Sequence, residues 1–198
     1  MKIIRIEFLV QKGPFPESLE FENILGEIRK AVSFVTYPEG SGQFTLNPAK
    51  KGNGVVPIKK NFLQHLVRND WWLERRMSIA SRVKPGPIDA VKKTSDGRYF
   101  SVEWETGNIS SSHRALNKMA VGLLDGVLVG GILILPSREM YRYLTDRIGN
   151  YAEIEPYFPV WKNLKIQEGV LAVIEIEHDS LSTDVPPIRK GTDGRALR

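Results

Sequence analysis

The sequence predicts an α/β fold, with a central mixed β-sheet flanked by α-helices. Three observations carry that prediction. Strand-like and helix-like periodicities alternate along most of the 198 residues. One segment, VLVGGILIL (127–135), is short and apolar throughout, as a strand buried on both faces is. The chain is also long enough to build a core on each side of a sheet.

Taken in order, residues 2–10 (KIIRIEFLV) read as a strand, and 17–35 carry apolar residues at helical spacing. A loop rich in Gly, Asn and Pro follows, broken by the strand-like FTLN (44–47). Pro57 sits where a first helical residue is tolerated and opens a helix over 57–69. WWLERRMSI (71–79), PIDAVKK (87–93) and YFSVEWE (99–105) read as strands, with SDGR (95–98) the turn joining the last two. Residues 110–126 form an amphipathic helix closed by Gly126. After the buried strand 127–135, SREMYRYLTDRIGN (137–150) reads as a helix and GVLAVIEIE (169–177) as a further strand. The whole reads as one domain over 1–198, its last part (180–198) a polar C-terminal arm.

Composition removes several classes. With 41% hydrophobic and 26% charged residues the chain is ordinary for a globular protein. A net charge of +5 favours an anionic partner without proving one. The absence of cysteine excludes a disulfide framework and a thiolate metal site, and suits a reducing compartment. The first residues lack the apolar core of a signal peptide, and the longest apolar run is half a membrane span. The expectation is a soluble cytoplasmic protein without a membrane partner.

The chemistry concentrates in SVEWETGNISSSHR (101–114). Side chains alternate across a strand, so Phe100, Val102 and Trp104 share one face and Ser101, Glu103 and Glu105 the other. A solvated strand face is the ordinary reading of two such acids. Asp89 changes it, lying inside the apolar PIDAV behind KPGP, where the hairpin brings it beside Glu103. Like charges so placed repel unless something neutralises them, and a hard divalent cation does so well. Asp, then Glu-x-(Lys or Glu) on the next strand, is the skeleton of the PD-(D/E)xK nucleases, though the bare pattern occurs by chance in many chains. The third position here is Glu105, where that superfamily usually has lysine.

The surrounding motifs are more specific. GNGVVPIK (52–59), GPID (86–89), EWETGNISSSHR (103–114), NKM (117–119), YLTDR (143–147), EPYF (155–158) and KGTDG (190–194) together resemble the BamHI-type type II restriction endonucleases. That family also carries glutamate in place of the superfamily lysine. The resemblance runs from about residue 44 to the C-terminus. It implies a PD-(D/E)xK core and a bacterial site-specific deoxyribonuclease acting as a homodimer. Its substrate would be double-stranded DNA at the palindrome GGATCC, cut with Mg²⁺, two ions per active site, to leave four-nucleotide 5′ overhangs.

The resemblance also implies roles. Asp89 would bridge the two ions, Glu103 and the backbone carbonyl of Trp104 would ligate one, and Glu74 the other. Glu105 would orient or deprotonate the attacking water. Asn108, Ser110 and Arg114 fall on base-contacting positions at a helix start, and Asp146 and Arg147 on those of the TDR segment. Lys59 matches a lysine near the DNA, and Lys190 and Asp193 lie in the arm's DNA-contacting motif. Departures are an interface segment that reads LLDGVLV (123–129) and an arm that ends four residues after Gly194. Dimer contacts should therefore differ in detail.

Each residue also has an ordinary reading. Asn108 and Ser110 are good N-caps, Asp146 and Arg147 suit a surface ion pair, Arg114 a solvated helix position, and Lys190 and Asp193 a flexible tail. Two other functions compete with this one. A non-catalytic DNA-binding protein on this scaffold has no use for three acids that repel phosphate, and a structure-selective repair nuclease needs no base-reading set. Arginine matches guanine, asparagine adenine, and aspartate accepts from cytosine, which suits the second group of residues to reading bases.

Overall fold

The computed structural model describes residues 1–80, 83–145 and 148–190. Its elements are β1 (Lys2–Lys12), α1 (Leu19–Ser33), β2 (Thr45–Leu46), α2 (Val56–Val67), β3 (Trp72–Arg76), β4 (Pro87–Lys93), β5 (Tyr99–Trp104) and α3 (Ile109–Leu124). Then come β6 (Leu128–Pro136), α4 (Arg138–Tyr141), α5 (Tyr151–Ile154), α6 (Phe158–Lys162), β7 (Gly169–Glu177) and β8 (Ser180–Leu181). Six strands form one sheet in the order β1-β7-β6-β5-β4-β3. The central pairs β5–β6 and β6–β7 are parallel, while β1–β7, β4–β5 and β3–β4 are antiparallel, so the sheet is mixed as its sequence predicts.

β6 and β7 are buried along their whole length because helices cover both faces of the sheet. On one face, Ile24 and Ile28 of α1 and Phe62 and Leu66 of α2 share a core with Phe100, Val102 and Trp104. On the other, Leu116 and Met119 of α3 and Trp161 of α6 share a second core with Ile88, Val91 and Leu133. α3 rests close to the sheet because β6 offers glycine beneath it. A Cβ on Gly131 would stand 2.8 Å from Met119.

Local chemistry fixes the ends that matter. The β4–β5 turn closes through the Thr94 N–H to Arg98 O bond (2.9 Å), with Gly97 at φ +89°. Asn108 caps α3 by accepting from the Ser111 N–H at 3.2 Å, and Gly126 ends it at φ +68°.

Three segments depart, for physical reasons, from the ordinary reading of their residues. Of the helix expected over 137–150, the described residues hold a single turn, α4; Leu144 then bridges Asn53 in parallel. The Asn53 carbonyl accepts the Thr145 N–H at 2.7 Å, and the Tyr143 carbonyl accepts the Asn53 N–H at 2.9 Å. Long-range pairing thus claims groups that a helix would have used. Second, the strand face holding Ser101 and Glu103 is not a solvated face, because α3 lies over it; Ser101 is fully buried. Third, the arm is seated as far as residue 190 rather than loose. Asn47 Nδ2 donates to Val185 O (2.7 Å), the Ile188 N–H to Asn53 Oδ1 (3.1 Å), and the Gly54 N–H to Ile188 O (2.8 Å). Among the described residues no helix is long and apolar enough to cross a membrane.

Candidate active site

The hairpin places the acids. Ala90 pairs Val102 and Val91 pairs Ser101, so Asp89 and Glu103 are the next pair along the ladder. The Asp89 N–H donates to Glu103 Oε2 at 3.2 Å, and the Trp104 N–H donates to Asp89 Oδ2 at 2.9 Å. Glu105 lies just past β5, its Oε1 accepting from the Gly107 N–H at 2.5 Å. A Cβ on Gly107 would stand 2.9 Å from that oxygen and 3.1 Å from Ser111 Oγ, so glycine is the residue that leaves room.

Two lysines complete the centre. Lys59 of α2 donates to Asp89 Oδ1 at 2.6 Å. Lys118 of α3 donates to Glu103 Oε1 at 3.1 Å and to Pro87 O at 3.0 Å. Lys59, Asp89, Glu103, Trp104, Glu105, Arg114 and Lys118 line one cavity of about 390 Å³. Burial and then the Asp89 charge push the Glu103 carboxyl up to about 7, against the pull of Lys118. Burial also raises Glu105, with the Gly107 N–H holding it back.

The structure separates the remaining candidates. Glu74 stands level with Asp89, since its neighbours Leu73 and Arg75 pair Ala90 and Ile88, but it is exposed and does not line the cavity. Its φ of +49° is unusual for a glutamate and marks a locally strained strand. Asn108 and Ser110 lie exposed on the rim at the start of α3, and Arg114 Nη2 donates to Ser111 Oγ at 3.2 Å. Lys190 is half-buried at the seated end of the arm. Asp146, Arg147 and Asp193 lie outside the described residues. His113 packs against Tyr157 and Trp161, at ring separations of 4.6 and 5.7 Å, on the far side of α3.

Lys118 is the residue that sequence reasoning missed. NKM (117–119) is part of the family resemblance, yet nothing local says that this lysine reaches across to β5. The signal was helical spacing: Ser111, Ala115 and Lys118 follow Asn108 on one face of α3.

Among the described residues no three acidic or histidine side chains stand ready as a metal cage. The convergent donors are two carboxylates on adjacent strands with backbone carbonyls beside them. That set fits a hard cation which keeps several waters.

A hairpin presenting these acids from a mixed sheet, with a capped helix start at its edge, is the framework of a restriction endonuclease. The fold is similar to that of the restriction endonuclease BglII in its crystal structure with a DNA 16-mer, with TM-score 0.64 and 14% identity over 90% of this chain and 79% of that one. The family model for restriction endonuclease BamHI matches residues 1–195. The type II restriction enzyme OkrAI of Oceanobacter kriegii is 53% identical over 198 residues, all of both chains. The type II restriction enzyme BamHI of Bacillus amyloliquefaciens is 36% identical over 182 residues, covering 87% of this chain and 82% of that one. This chain belongs to the BamHI family of type II restriction endonucleases, which are site-specific deoxyribonucleases.

Proposed function

We propose that this protein hydrolyses both strands of double-stranded DNA at GGATCC as a Mg²⁺-dependent homodimer, leaving four-nucleotide 5′ overhangs. The observation that supports this best is the convergence of Asp89, Glu103 and Glu105 on one cavity beside the start of α3. Asp89, Glu103 and the Trp104 carbonyl are the groups that would hold the cation, with Glu74 serving a second ion. When bound, such ions relieve charge on the phosphate and lower the pKa of water.

The chain's own residues supply the rest. Glu105, raised by burial, is a better proton acceptor than an ordinary glutamate; it takes the proton as a water oxygen bonds to phosphorus and the P–O3′ bond breaks, the leaving 3′ oxygen taking a proton from solvent. Its bond from Gly107 fixes the carboxylate's direction. Lys59 stands where a phosphate oxygen can exchange for Asp89. Asn108, Ser110 and Arg114 read base edges from the start of α3, and Asp146 and Arg147 extend that reading. Lys190 and Asp193 add contacts from the arm. The N-terminal end of α3, where Asn108 already takes the Ser111 N–H, suits phosphate through the helix dipole.

Digestion of a plasmid of known sequence with and without Mg²⁺, followed by run-off sequencing, tests the proposal. The expected result is cutting at GGATCC after the first G on each strand. Asp89→Asn and Glu103→Ala should stop cleavage while retaining specific binding in a mobility shift. Cleavage by either variant, or a different site, would overturn the assignment.

A further inference from the structure

We propose that Lys118 is a positioning residue: a built-in counter-ion that holds Glu103 in the metal-free protein and must yield it to the cation. Lys118 thereby sets how readily the site takes metal before DNA arrives. The inference rests on the reading of Glu103 as a metal ligand. The Lys118 ammonium is 3.1 Å from Glu103 Oε1, and its side chain is 15% exposed. A carboxylate oxygen can accept from an ammonium and still face a cation, but a divalent ion bound at Glu103 would lie close to that ammonium, and two positive centres so near repel in a partly buried setting. The ammonium is kept in place by a second acceptor, Pro87 O at 3.0 Å, at the very start of the strand that carries Asp89.

Lys59 makes the matching contact to Asp89, but from α2 and with a more exposed side chain (25%). Each of the two strand carboxylates thus meets one ammonium group, which keeps Asp89 and Glu103 together without metal. Lys118 differs from Lys59 in its element. It rides on α3, whose N-cap is Asn108 and whose first two turns carry Ser110 and Arg114, so whatever engages those residues acts on the helix that grips Glu103. Metal affinity is then low in the free protein and rises when DNA is seated. That ordering restrains cutting at poorly matched sites.

The test is calorimetric titration of the DNA-free protein with Mn²⁺, which reads binding without activity. Lys118→Met should bind the ion more tightly, on the order of tenfold, because a competing cation has gone. Lys118→Gln, which keeps a donor for Pro87 O, should show the same direction and guards against loss of folding in the first variant. Lys118→Arg, retaining the charge, should stay near the wild-type value. Adding Glu103→Gln to Lys118→Met should abolish the gain. Unchanged or weaker binding in both folded neutral variants overturns the proposal. If Glu103→Gln alone binds Mn²⁺ as the wild type does, the ligand reading of Glu103 falls, and the proposal falls with it. If Glu103→Gln weakens binding while Lys118→Met gains nothing, the proposal alone falls.

Discussion

Glu103 carries a pH dependence whose sign follows from its surroundings. Its folded carboxyl titrates at about 7, against an ordinary 4.5. Between those values the folded protein holds a proton that the unfolded chain has released. Stability contributed by this group is therefore present below pH 4.5 and lost as pH rises toward 7. Urea midpoints of the metal-free protein at pH 5 and pH 8 should show that loss, and Glu103→Gln should shrink it. A second single-residue prediction concerns Arg114, exposed on the cavity rim. If it makes a bidentate guanine contact, Arg114→Ala costs about 1–3 kcal/mol of discrimination between GGATCC and a scrambled duplex. Equal loss on both duplexes would reassign it to phosphate.

At the scale of elements, α3 does two things with one residue. Asn108 caps the helix and is proposed to read a base. Asn108→Ser keeps a capping oxygen, so thermal stability should change little while discrimination falls. Asn108→Ala should lose discrimination and about 1 kcal/mol of stability as well. Strand alternation and one hairpin made the acid set legible in the sequence, because Asp89, Glu103 and Glu105 are placed by periods of two and a four-residue turn. Lys118 is legible only as a member of one face of α3; its reach to β5 depends on how close the helix comes to the sheet, where Gly131 of β6 leaves room for Met119. The segment 137–150 misled for a related reason. Its side chains have helical spacing, but Asn53, far away in sequence, holds its backbone. Periodicity reports which face is apolar; it does not report which distant group takes an amide.

For the whole molecule, the described residues bring together one set of the acids proposed to be catalytic, so the proposed cutting of both strands of a palindrome requires two copies related by a two-fold axis. Sedimentation should show a complex of two chains on one GGATCC duplex. A single chain on DNA that nicks one strand would contradict the dimer. The fold class, the mixed sheet and the buried strand β6 are readable in the sequence, because they rest on patterns that every residue of an element shares; that β7 is buried on both faces as well is not. The link between β5 and α3 has an evolutionary consequence. Trp104 ends the strand and Ile109 begins the helix, so four residues join the strand proposed to cut to the helix proposed to read. No hinge or separable head stands between them. A lineage with this plan cannot acquire a new target by exchanging a module. It must do so by substitution at the start of α3, under constraint from the chemistry a few residues away. New specificities in such a family should therefore arise slowly and in small steps.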